Sequence, residues 1–312
     1  MSMDMKLKNK TILITGGAGN IGSYIVEEIL NQNPTSKIIV VDNFFNGKNI
    51  IKSPNIKYYP IDISNLEEID YIFKTYKPKY VFHCASMLIQ DSETLPRKAI
   101  NTNIIGTFNI VDLSNKYNVK KICYSSSASV YGEPQYLPVD ENHPHQKKNF
   151  IYGWTKITAE MIFESNCNVD WLGFRYYNVY SNRMNEGAFY TQVFNIFRDK
   201  IKDNKPITIY GDGNQTMDLI HAKDIAKANI MGMESEITNE FFNVGSGKET
   251  KVSELAKILM DIIGNQVEII LHPEDSQKVK NRKSDTKKIK SLLGFTPEIT
   301  PQEGLTYFVE NT

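Results

Sequence analysis

The sequence predicts an α/β protein with a doubly wound parallel sheet and a smaller mixed α/β lobe towards the C-terminus. Short apolar runs alternate with helical patterns through the first half of the chain, which is typical of a parallel sheet covered on both faces. A glycine cluster lies between the first apolar run and the first helical stretch. Beyond Asn178 a polar loop, a helical stretch and a short strand follow in a different pattern, which indicates the second lobe.

Each element is predicted from its own local pattern. The main-sheet strands are predicted at Thr11–Thr15, Lys37–Val41, Ile56–Tyr59, Tyr80–Cys84, Lys121–Ser125 and Trp171–Tyr176. Predicted helices include Leu66–Tyr76, Ala99–Tyr117, Phe189–Ile201, Asp218–Met231 and Val252–Ile263, and later strands lie within Pro206–Gly213 and at Glu240–Val244. The predicted main domain comprises residues 1–177 with 218–245 returning to it, and the smaller lobe comprises 178–217 and 246–312.

Composition argues against several classes of partner. The 312 residues carry 36 basic and 36 acidic side chains, so the formal net charge is zero. A nucleic-acid or anionic-membrane partner would favour a basic patch, and neither is expected. No apolar run approaches the ~20 residues that span a bilayer, and no signal peptide precedes the first strand, so we expect a cytoplasmic protein without membrane insertion. Cys84, Cys123 and Cys167 lack metal-ligand spacing, so we expect free buried thiols and no metal site.

The most specific signal is the segment Gly16-Gly-Ala-Gly-Asn-Ile-Gly22, which separates the first strand from a helical stretch. A helix N-terminus after such a turn binds the pyrophosphate of a dinucleotide. Gly17 is expected to permit the tight turn, Gly19 to let the backbone approach the phosphates, and Gly22 to let the helix pack on its strand. Asp42 follows the second strand, where a carboxylate binds the adenosine ribose and repels a 2′-phosphate. The segment therefore predicts an NAD site.

A second group of residues predicts hydride chemistry coupled to proton transfer. The segment Tyr124-Ser-Ser-Ser-Ala-Ser-Val-Tyr-Gly132 follows the fifth strand, so its hydroxyl groups are expected at the carboxyl edge of the sheet. Tyr152 and Lys156 open the next helix, where residues four apart share a face. A nearby ammonium and the positive nicotinamide favour the phenolate. Tyr152 can then accept a proton from a sugar hydroxyl that Ser127 orients, while hydride passes to NAD.

The Tyr-x-x-x-Lys spacing occurs a second time, at Tyr117 and Lys121. This copy runs from a helix end into a strand and precedes the serine run, so its two side chains do not share a helix face. We therefore predict that Tyr152 and Lys156 are catalytic and that the earlier pair is not.

These motifs resemble, over nearly the full length of the chain, those of extended short-chain dehydrogenases/reductases of the nucleotide-sugar epimerase/dehydratase group. Further matches are Asp62-Ile63, His83-Cys-Ala85, Asn103, Arg175-Tyr-Tyr-Asn-Val179 and Ile209–Leu219. The resemblance implies a Rossmann domain, NAD as cofactor, a nucleoside-diphosphate sugar as substrate and a catalytic set of Ser127, Tyr152 and Lys156. It also implies a homodimer whose four-helix bundle is formed by the helices within 99–117 and 152–166.

The resemblance assigns roles residue by residue. The implied cofactor contacts are Gly16, Gly19, Asn20, Ile21, Gly22, Asp42, Asn43, Asp62, Ile63, His83, Ala85, Asn103, Ser125, Tyr152 and Lys156. The implied substrate contacts are Ser127, Asn178, Arg183, Met217 and Arg282.

Three departures from the family pattern affect the expected substrate site. Met217 stands where the family usually has an arginine that helps neutralise the diphosphate, so positive charge is expected from Arg183, Arg198 or Arg282. Ser181-Asn182 replaces a Gly-Pro pair, which changes the expected loop. The stretch from Pro273 to Asp285 is longer than usual, which leaves the register of Arg282 open.

The residues after Ser127 narrow the reaction. Family members that eliminate water carry Asp-Glu there, because elimination needs a separate acid and base, whereas this chain has Ala128-Ser129. Dehydration and decarboxylation are therefore disfavoured. Epimerisation through an enol would need further acid/base groups, and the nearest, His143 and His145, are expected to be solvated loop histidines.

Oxidation at C4 to a 4-keto sugar needs only the Ser/Tyr/Lys set and NAD. If hydride returns to the other face of the ketone, the enzyme is a nucleotide-sugar 4-epimerase, which we expect. If the ketone is released, it is a 4-dehydrogenase or ketoreductase. A non-catalytic NAD-sensing scaffold is a remote hypothesis, since a scaffold has little need for the Tyr/Lys pair. The sequence identifies neither the sugar nor the base.

Overall fold

The computed structural model describes residues 6–145, 150–184, 189–273 and 281–312, and for 189–192 it describes the backbone alone. Residues 274–280 of the long stretch noted above therefore lie outside the described residues. The strands within the described ranges are β1 (Thr11–Thr15), β2 (Lys37–Val41), β3 (Ile56–Tyr59), β4 (Tyr80–His83), β5 (Lys121–Ser127), β6 (Asp170–Tyr176), β7 (Asn178–Tyr180), β8 (Ile207–Tyr210), β9 (Thr216–Met217), β10 (Leu219–His221), β11 (Glu240–Val244), β12 (Thr250–Lys251) and β13 (Ile269–His272).

Seven of these strands form the central sheet, in the order β11-β6-β5-β4-β1-β2-β3. Every neighbouring pair is parallel. The chain order reverses between β1 and β4, and in sheets of this kind ligands bind where the carboxyl ends of such strands separate. The predicted doubly wound α/β fold is confirmed, and the six predicted main-sheet strands are all present.

The helices cover both faces of this sheet. Their bounds are α1 (Asn20–Gln32), α2 (Leu66–Tyr76), α3 (Ile89–Thr94), α4 (Pro96–Ile100), α5 (Thr107–Lys116), α6 (Ile151–Asn166), α7 (Phe189–Lys202), α8 (Ala222–Glu234), α9 (Val252–Ile263), α10 (Lys287–Leu293) and α11 (Pro301–Glu310), with a π-helical turn at Asn101–Gly106 and a 3₁₀ turn at Ala128–Tyr131.

The side chains of β1 alternate between the two buried cores, one on each face of the central sheet. Ile12 and Ile14 belong to the buried core that includes residues of α1 and α8. Leu13 between them belongs to the core on the other face, with residues of α2, α5 and α6. Because successive side chains of a strand point to opposite faces, one apolar run supplies both cores.

Two predicted helices differ from the structure. The stretch Ala99–Tyr117 is interrupted by the π-helical turn between α4 and α5. The helix predicted from Asp218 begins only at Ala222, because Leu219–His221 forms β10 and pairs in parallel with β7. This pairing joins segments far apart in sequence, so the local pattern did not reveal it.

The later part of the chain has its own buried core. Residues of β8 and α9 and the end of α11 meet there, among them Ile209, Leu255 and Phe308. Helix α11 begins with a capping box, in which the Thr300 side chain accepts from the backbone N of Glu303 and the Glu303 carboxylate accepts from the backbone N of Thr300. The division of the chain into two domains at the predicted boundaries stays a prediction.

The cysteines are free, but only Cys123 is fully buried. Cys84 is half-buried because it lines the cleft described below, and Cys167 is half-buried at the end of α6. Within the described ranges no helix is both long enough and apolar enough to cross a membrane.

Candidate active site

A cleft that is partly open to solvent lies along the carboxyl edge of the central sheet. It is lined by the glycine turn after β1, the polar residues after β2 and β3, the loop after β4, the serines at the end of β5 and the residues after β6. The predicted site residues that line it are Gly16, Gly19, Asn20, Ile21, Gly22, Asp42, Asn43, Asp62, Ile63, Ala85, Ser127, Tyr152, Asn178 and Arg282. The fold thus gathers motifs from distant parts of the chain into one cleft.

The glycine turn differs from the prediction at one position. Gly16, and not Gly17, has the positive φ, of +69°, and a Cβ there would lie 2.6 Å from the backbone N of Ala85. Gly17 is needed for space, because its Cβ would lie 2.6 Å from Cγ1 of Val40. A Cβ on Gly22 would lie 2.2 Å from the carbonyl oxygen of Gly16, so Gly22 lets α1 pack closely against the turn, whereas the prediction had the helix packing on its strand.

The start of α1 fits the pyrophosphate that the turn predicts. Gly19 is the N-cap residue and no side chain caps the helix, so its first backbone N–H groups are left for a ligand. A Cβ on Gly19 would meet only the carbonyl oxygen of Gly16, at 3.1 Å. Thr102 was not predicted, yet its hydroxyl is buried, lacks a partner among the described residues and belongs to a residue that lines the same cleft. These features fit a bound dinucleotide.

Two acids shape the end of the cleft beyond β2 and β3. Asp42 accepts hydrogen bonds from the backbone N of Ala18 and of Phe44, at 3.0 and 2.8 Å. Burial raises the pKa of Asp42, and these two bonds partly oppose that rise. Asp62 accepts from Nδ2 of Asn43 at 2.9 Å, so two predicted cofactor contacts bind each other. The arrangement fits a ribose whose hydroxyls donate to Asp42.

Four predicted cofactor contacts are not among the residues that line the cleft: His83, Asn103, Ser125 and Lys156. The ring nitrogens of His83 contact the hydroxyls of Thr15 and Thr107 at 2.7 and 3.0 Å. Burial lowers the pKa of His83 to about 3, so its imidazole is neutral. The Asn103 amide binds the backbone N and O of Met87 at 2.7 and 3.2 Å. Neither residue lines the cleft. Asn103 holds the loop after β4 through Met87, whereas His83 links Thr15 at the end of β1 to Thr107 at the start of α5.

Tyr152 and Lys156 lie on α6, which packs against β5. Nζ of Lys156 donates to the carbonyl oxygen of Ser125 at 2.8 Å and lies 5.7 Å from the ring centre of Tyr152. Lys156 is 3% exposed, and burial lowers its pKa to about 8. Tyr152 lines the cleft together with Ser127, whose Oγ accepts from the backbone N of Ser129 at 3.1 Å. A phenol, an ammonium and a hydroxyl therefore meet at one edge, as proton transfer from a substrate hydroxyl requires.

A buried carboxylate that was not predicted joins α6 to the end of β5. Glu160 lies one turn after Lys156 and accepts from Oγ of Ser126 at 2.5 Å. It also accepts from Nε and Nη2 of Arg175, at 2.9 and 2.8 Å. Such bonds are what a buried charge requires. Ser126 directly precedes Ser127, so Glu160 fixes the serine relative to the helix, and its spacing of four from Lys156 was the available sequence signal.

The predicted substrate contacts separate into two groups. Asn178 and Arg282 line the cleft. The guanidinium of Arg183 instead lies on α1, 2.8 Å from Glu27. Met217 packs in the core of the later part of the chain, because β9 pairs with β12 there. Neither Arg183 nor Met217 lines the cleft, and their contact with the substrate stays a prediction. Arg198, the other candidate cation, pairs with Asp199.

Arg282 reaches the cleft through long-range contacts. Ser284, two residues later, forms a β-bridge with Val139. The buried Asp218 carboxylate accepts from the backbone N and Oγ of Ser284 at 2.8 and 2.5 Å, and also from the backbone N and Oγ of Ser246. Asp218 therefore holds the segment that carries Arg282. The sequence alone could not show where along the family pattern this arginine lies.

The loop histidines are not solvated as predicted. His143 is buried, and its Nε2 accepts from the backbone N of Gln135 at 2.9 Å. His145 is half-buried with Nε2 3.5 Å from Oε2 of Glu160, and burial lowers its pKa. The prediction is wrong because this loop packs on the ring of Tyr131. Neither histidine is among the residues that line the cleft.

Known proteins are similar to this chain over nearly its whole length. A putative UDP-glucose 4-epimerase of Methanocaldococcus jannaschii is 36% identical over 299 residues, which cover 94% of this chain and 95% of the relative. UDP-glucuronic acid decarboxylase 2 of Arabidopsis thaliana is 30% identical over 99% of this chain and 69% of its own length. The crystal structure of UDP-glucose 4-epimerase from Thermotoga maritima, with UDP-glucose, superposes with a TM-score of 0.88 at 33% identity, covering 96% of this chain and 98% of that one.

The family comparison agrees with the geometry. Residues 12–245 match the model of the NAD dependent epimerase/dehydratase family, a range that contains the glycine turn, the serines of β5 and the Tyr152/Lys156 pair. The scaffold hypothesis loses its support, and NAD is the cofactor. The chain belongs to the NAD-dependent epimerase/dehydratase family of extended short-chain dehydrogenases/reductases.

Proposed function

We propose that this enzyme inverts C4 of a uridine diphosphate hexose through a 4-keto species. The observation that carries the proposal is the make-up of one cleft: Ser127 and Tyr152 line it together with the glycine turn and Asp42. The names of two relatives, a UDP-glucose 4-epimerase and a UDP-glucuronate 4-epimerase, support both the position of the chemistry and the base.

The chain's own residues supply the proton chemistry in this proposal. NAD, when bound, supplies the site that accepts hydride from C4 and returns it. Ser127 orients the C4 hydroxyl, and Tyr152 accepts its proton because the Lys156 ammonium favours the phenolate. In the return direction Tyr152 gives the proton back to the C4 oxygen. Asn20, Ile21 and Gly22, at the start of α1, bind the cofactor pyrophosphate, and Asp42 binds its ribose.

The distribution of acids supports epimerisation over elimination or decarboxylation. Among the described lining residues the carboxylates are Asp42 and Asp62, which follow β2 and β3. Ser127 ends β5, on the other side of β1 in the sheet. Beside Ser127 the lining groups are hydroxyls, including those of Ser126 and Ser129. Elimination and decarboxylation draw on acid and base groups in addition to the hydride carrier, and no carboxylate or histidine lines this end of the cleft among the described residues.

We also propose a homodimer built on α5 and α6. Trp154 and Met161 on α6 are 53% and 58% exposed, and their spacing of seven places them on one helix face. Phe108 on α5 and Ile105 just before it are exposed as well. Apolar side chains of this size fit the core of a four-helix bundle formed with a second copy. The test is analytical sedimentation of wild type and of Trp154→Glu. A dimeric wild type and a monomeric variant would support the interface, and a monomeric wild type would overturn it.

The reaction is tested with UDP-, GDP- and CDP-hexoses incubated with purified enzyme and no added cofactor. Catalytic appearance of the C4-inverted sugar by NMR, without net change in NADH absorbance, is the expected result for the uridine sugars. The matched control is Tyr152→Phe, which should abolish turnover while its NAD content stays that of wild type. Accumulation of a ketone with persistent NADH would instead establish the 4-dehydrogenase alternative.

A further inference from the structure

We propose that Ser181 is a positioning residue for the cofactor, because it holds the Asn20 side chain with its amide NH2 group facing the NAD pyrophosphate. The inference goes beyond the proposed function, since it concerns how NAD is retained and not which sugar reacts. It starts from the departure Ser181-Asn182, which replaces the Gly-Pro pair of the family pattern.

The two residues of this departure both bond to α1. Oγ of Ser181 donates to Oδ1 of Asn20 at 2.6 Å, and the Tyr24 hydroxyl donates to Oδ1 of Asn182 at 2.7 Å. Asn20 and Tyr24 are four residues apart, so they share one face of the helix. Glycine and proline have no side-chain hydrogen-bonding group, so both bonds are features of this chain.

The bond to Asn20 decides which end of its amide faces the cleft. Ser181 is fully buried, and its Oγ accepts from the backbone N of Arg183 at 3.0 Å. The hydroxyl proton of Ser181 is therefore left for Oδ1 of Asn20, so the amide turns its oxygen towards the serine. Asn20 lines the cleft, and its side-chain nitrogen donates to no other described residue. Two N–H donors thus remain for a ligand atom.

The position of Asn20 identifies that ligand atom as a phosphate oxygen. Asn20 is the first residue of α1 and directly follows the N-cap residue Gly19, where the helix N-terminus attracts negative charge. A phosphate oxygen accepts from an N–H group and repels a carbonyl oxygen, so only one orientation of the amide suits the anion. Without the bond from Ser181 the amide can adopt both orientations, and its contact with the phosphate weakens.

The experiment measures how fast NAD leaves the loaded enzyme when labelled NAD is added in excess, with no nucleotide sugar present. Ser181→Ala should accelerate release ~5–20-fold, because a hydrogen bond to a charged group loses its orientation. Asn20→Ala should accelerate release at least as much. The double variant should release NAD no faster than Asn20→Ala, because both changes act through one amide.

Two control variants separate this role from a structural one. Ser36→Ala removes an equally buried hydroxyl, which donates to the carbonyl oxygen of Leu7 at 2.6 Å, just before β2 and away from the cleft. It should match Ser181→Ala in the thermal stability of the NAD-free protein and leave NAD release unchanged. Asn182→Ala removes the bond from Tyr24 without touching the Asn20 amide, so release should change less than about threefold.

Three results would overturn the role of Ser181. Release at the wild-type rate in Ser181→Ala would remove it, and losses that multiply in the double variant would show that Ser181 and Asn20 act independently. Equal acceleration in Asn182→Ala would show that loosening of the segment, and not the amide, governs release. None of these measurements uses a sugar, so a failure of the proposed epimerisation would leave them intact.

Discussion

The two Tyr-x-x-x-Lys pairs of this chain have the same spacing and lie at opposite ends of one strand. Lys121 begins β5, whereas Ser127, beside Tyr152 and Lys156, ends it. Lys121 and Lys156 are equally buried, each 3% exposed. Nζ of Lys121 donates to the carbonyl oxygens of Gly232, Ser235 and Ile237 at 2.7, 3.0 and 2.6 Å, so it caps the end of α8.

Their tyrosines differ in the same way. The Tyr117 hydroxyl donates to Asp70 at 3.1 Å, away from the lysine of its own motif. Tyr152 lines the cleft, and Lys156 lies behind its ring. The comparison teaches that burial of a lysine does not mark a catalytic site; what distinguishes the pairs is the edge of the parallel sheet at which each lies, since ligands bind at the carboxyl edge.

The tyrosines should show the largest contrast. Tyr152→Phe removes the group that exchanges a proton with the substrate, so kcat should fall ~10²–10⁴-fold, the usual contribution of general acid–base catalysis. Tyr117→Phe removes only the bond to Asp70, and kcat should stay within about twofold of wild type. Steady-state assays with the sugar that the panel under Proposed function identifies provide the measurement. Comparable losses in both variants would contradict the contrast between the two ends of β5.

Replacing the two lysines should affect different properties, activity for Lys156 and stability for Lys121. Lys156→Met removes the charge that favours the phenolate, so kcat should fall by at least ~10²-fold while the protein stays folded. Lys121→Met leaves buried carbonyl oxygens at the end of α8 without a donor, so the free energy of unfolding should fall by about 2–3 kcal/mol with kcat nearly unchanged. Denaturant titration and turnover of both variants measure this. A Lys121 variant with wild-type stability would show that its three contacts contribute little.

A carboxylate lies near each Tyr/Lys pair: Glu160 follows Lys156 on α6, and Asp70 bonds to Tyr117. Replacing these two carboxylates gives a third comparison. Glu160→Gln weakens the bonds to Ser126 and Arg175, and Ser127 should shift as a result. We expect kcat to fall ~10-fold, while KM for the nucleotide sugar changes less. Asp70→Asn disturbs only an exposed contact to Tyr117 and Lys116 and should leave both parameters unchanged. A rise in KM with kcat intact would assign Glu160 to substrate binding rather than to positioning.

The last expected effect concerns how the stability of the Lys156 variant depends on pH. Burial lowers the pKa of Lys156 from 10.5 to about 8, so the unfolded chain binds more protons than the native one between these values. The native state is therefore penalised fully below pH 8, and stability rises as the pH increases through 8 towards 10.5. Lys156→Met should thus be more stable than wild type at pH 7, by at most about 3 kcal/mol, and the difference should shrink at pH 10. Thermal unfolding at the two pH values measures it, and a pH-independent difference would contradict it.

Much of the fold was visible in the sequence because parallel strands buried on both faces are continuous apolar runs. The six predicted main-sheet strands and β11 are present, and the glycine turn, Asp42, Ser127 and Tyr152 lie at one cleft, as the carboxyl-edge rule requires. The errors lie where a local pattern had a long-range competitor. Leu219–His221 was predicted as helix because its pairing with β7 is not a local property.

The sequence by itself determined the class of fold, the cofactor turn and which Tyr/Lys pair follows the serines, because these depend on the order of short local patterns along the chain. Only the tertiary structure decided which arginine faces the cleft. Arg183 is taken up by Glu27, and Arg282 is presented by the Asp218–Ser284 bonds, across 66 residues of sequence. Contacts of that range arise when packed elements meet, and no periodicity or spacing within one segment records them.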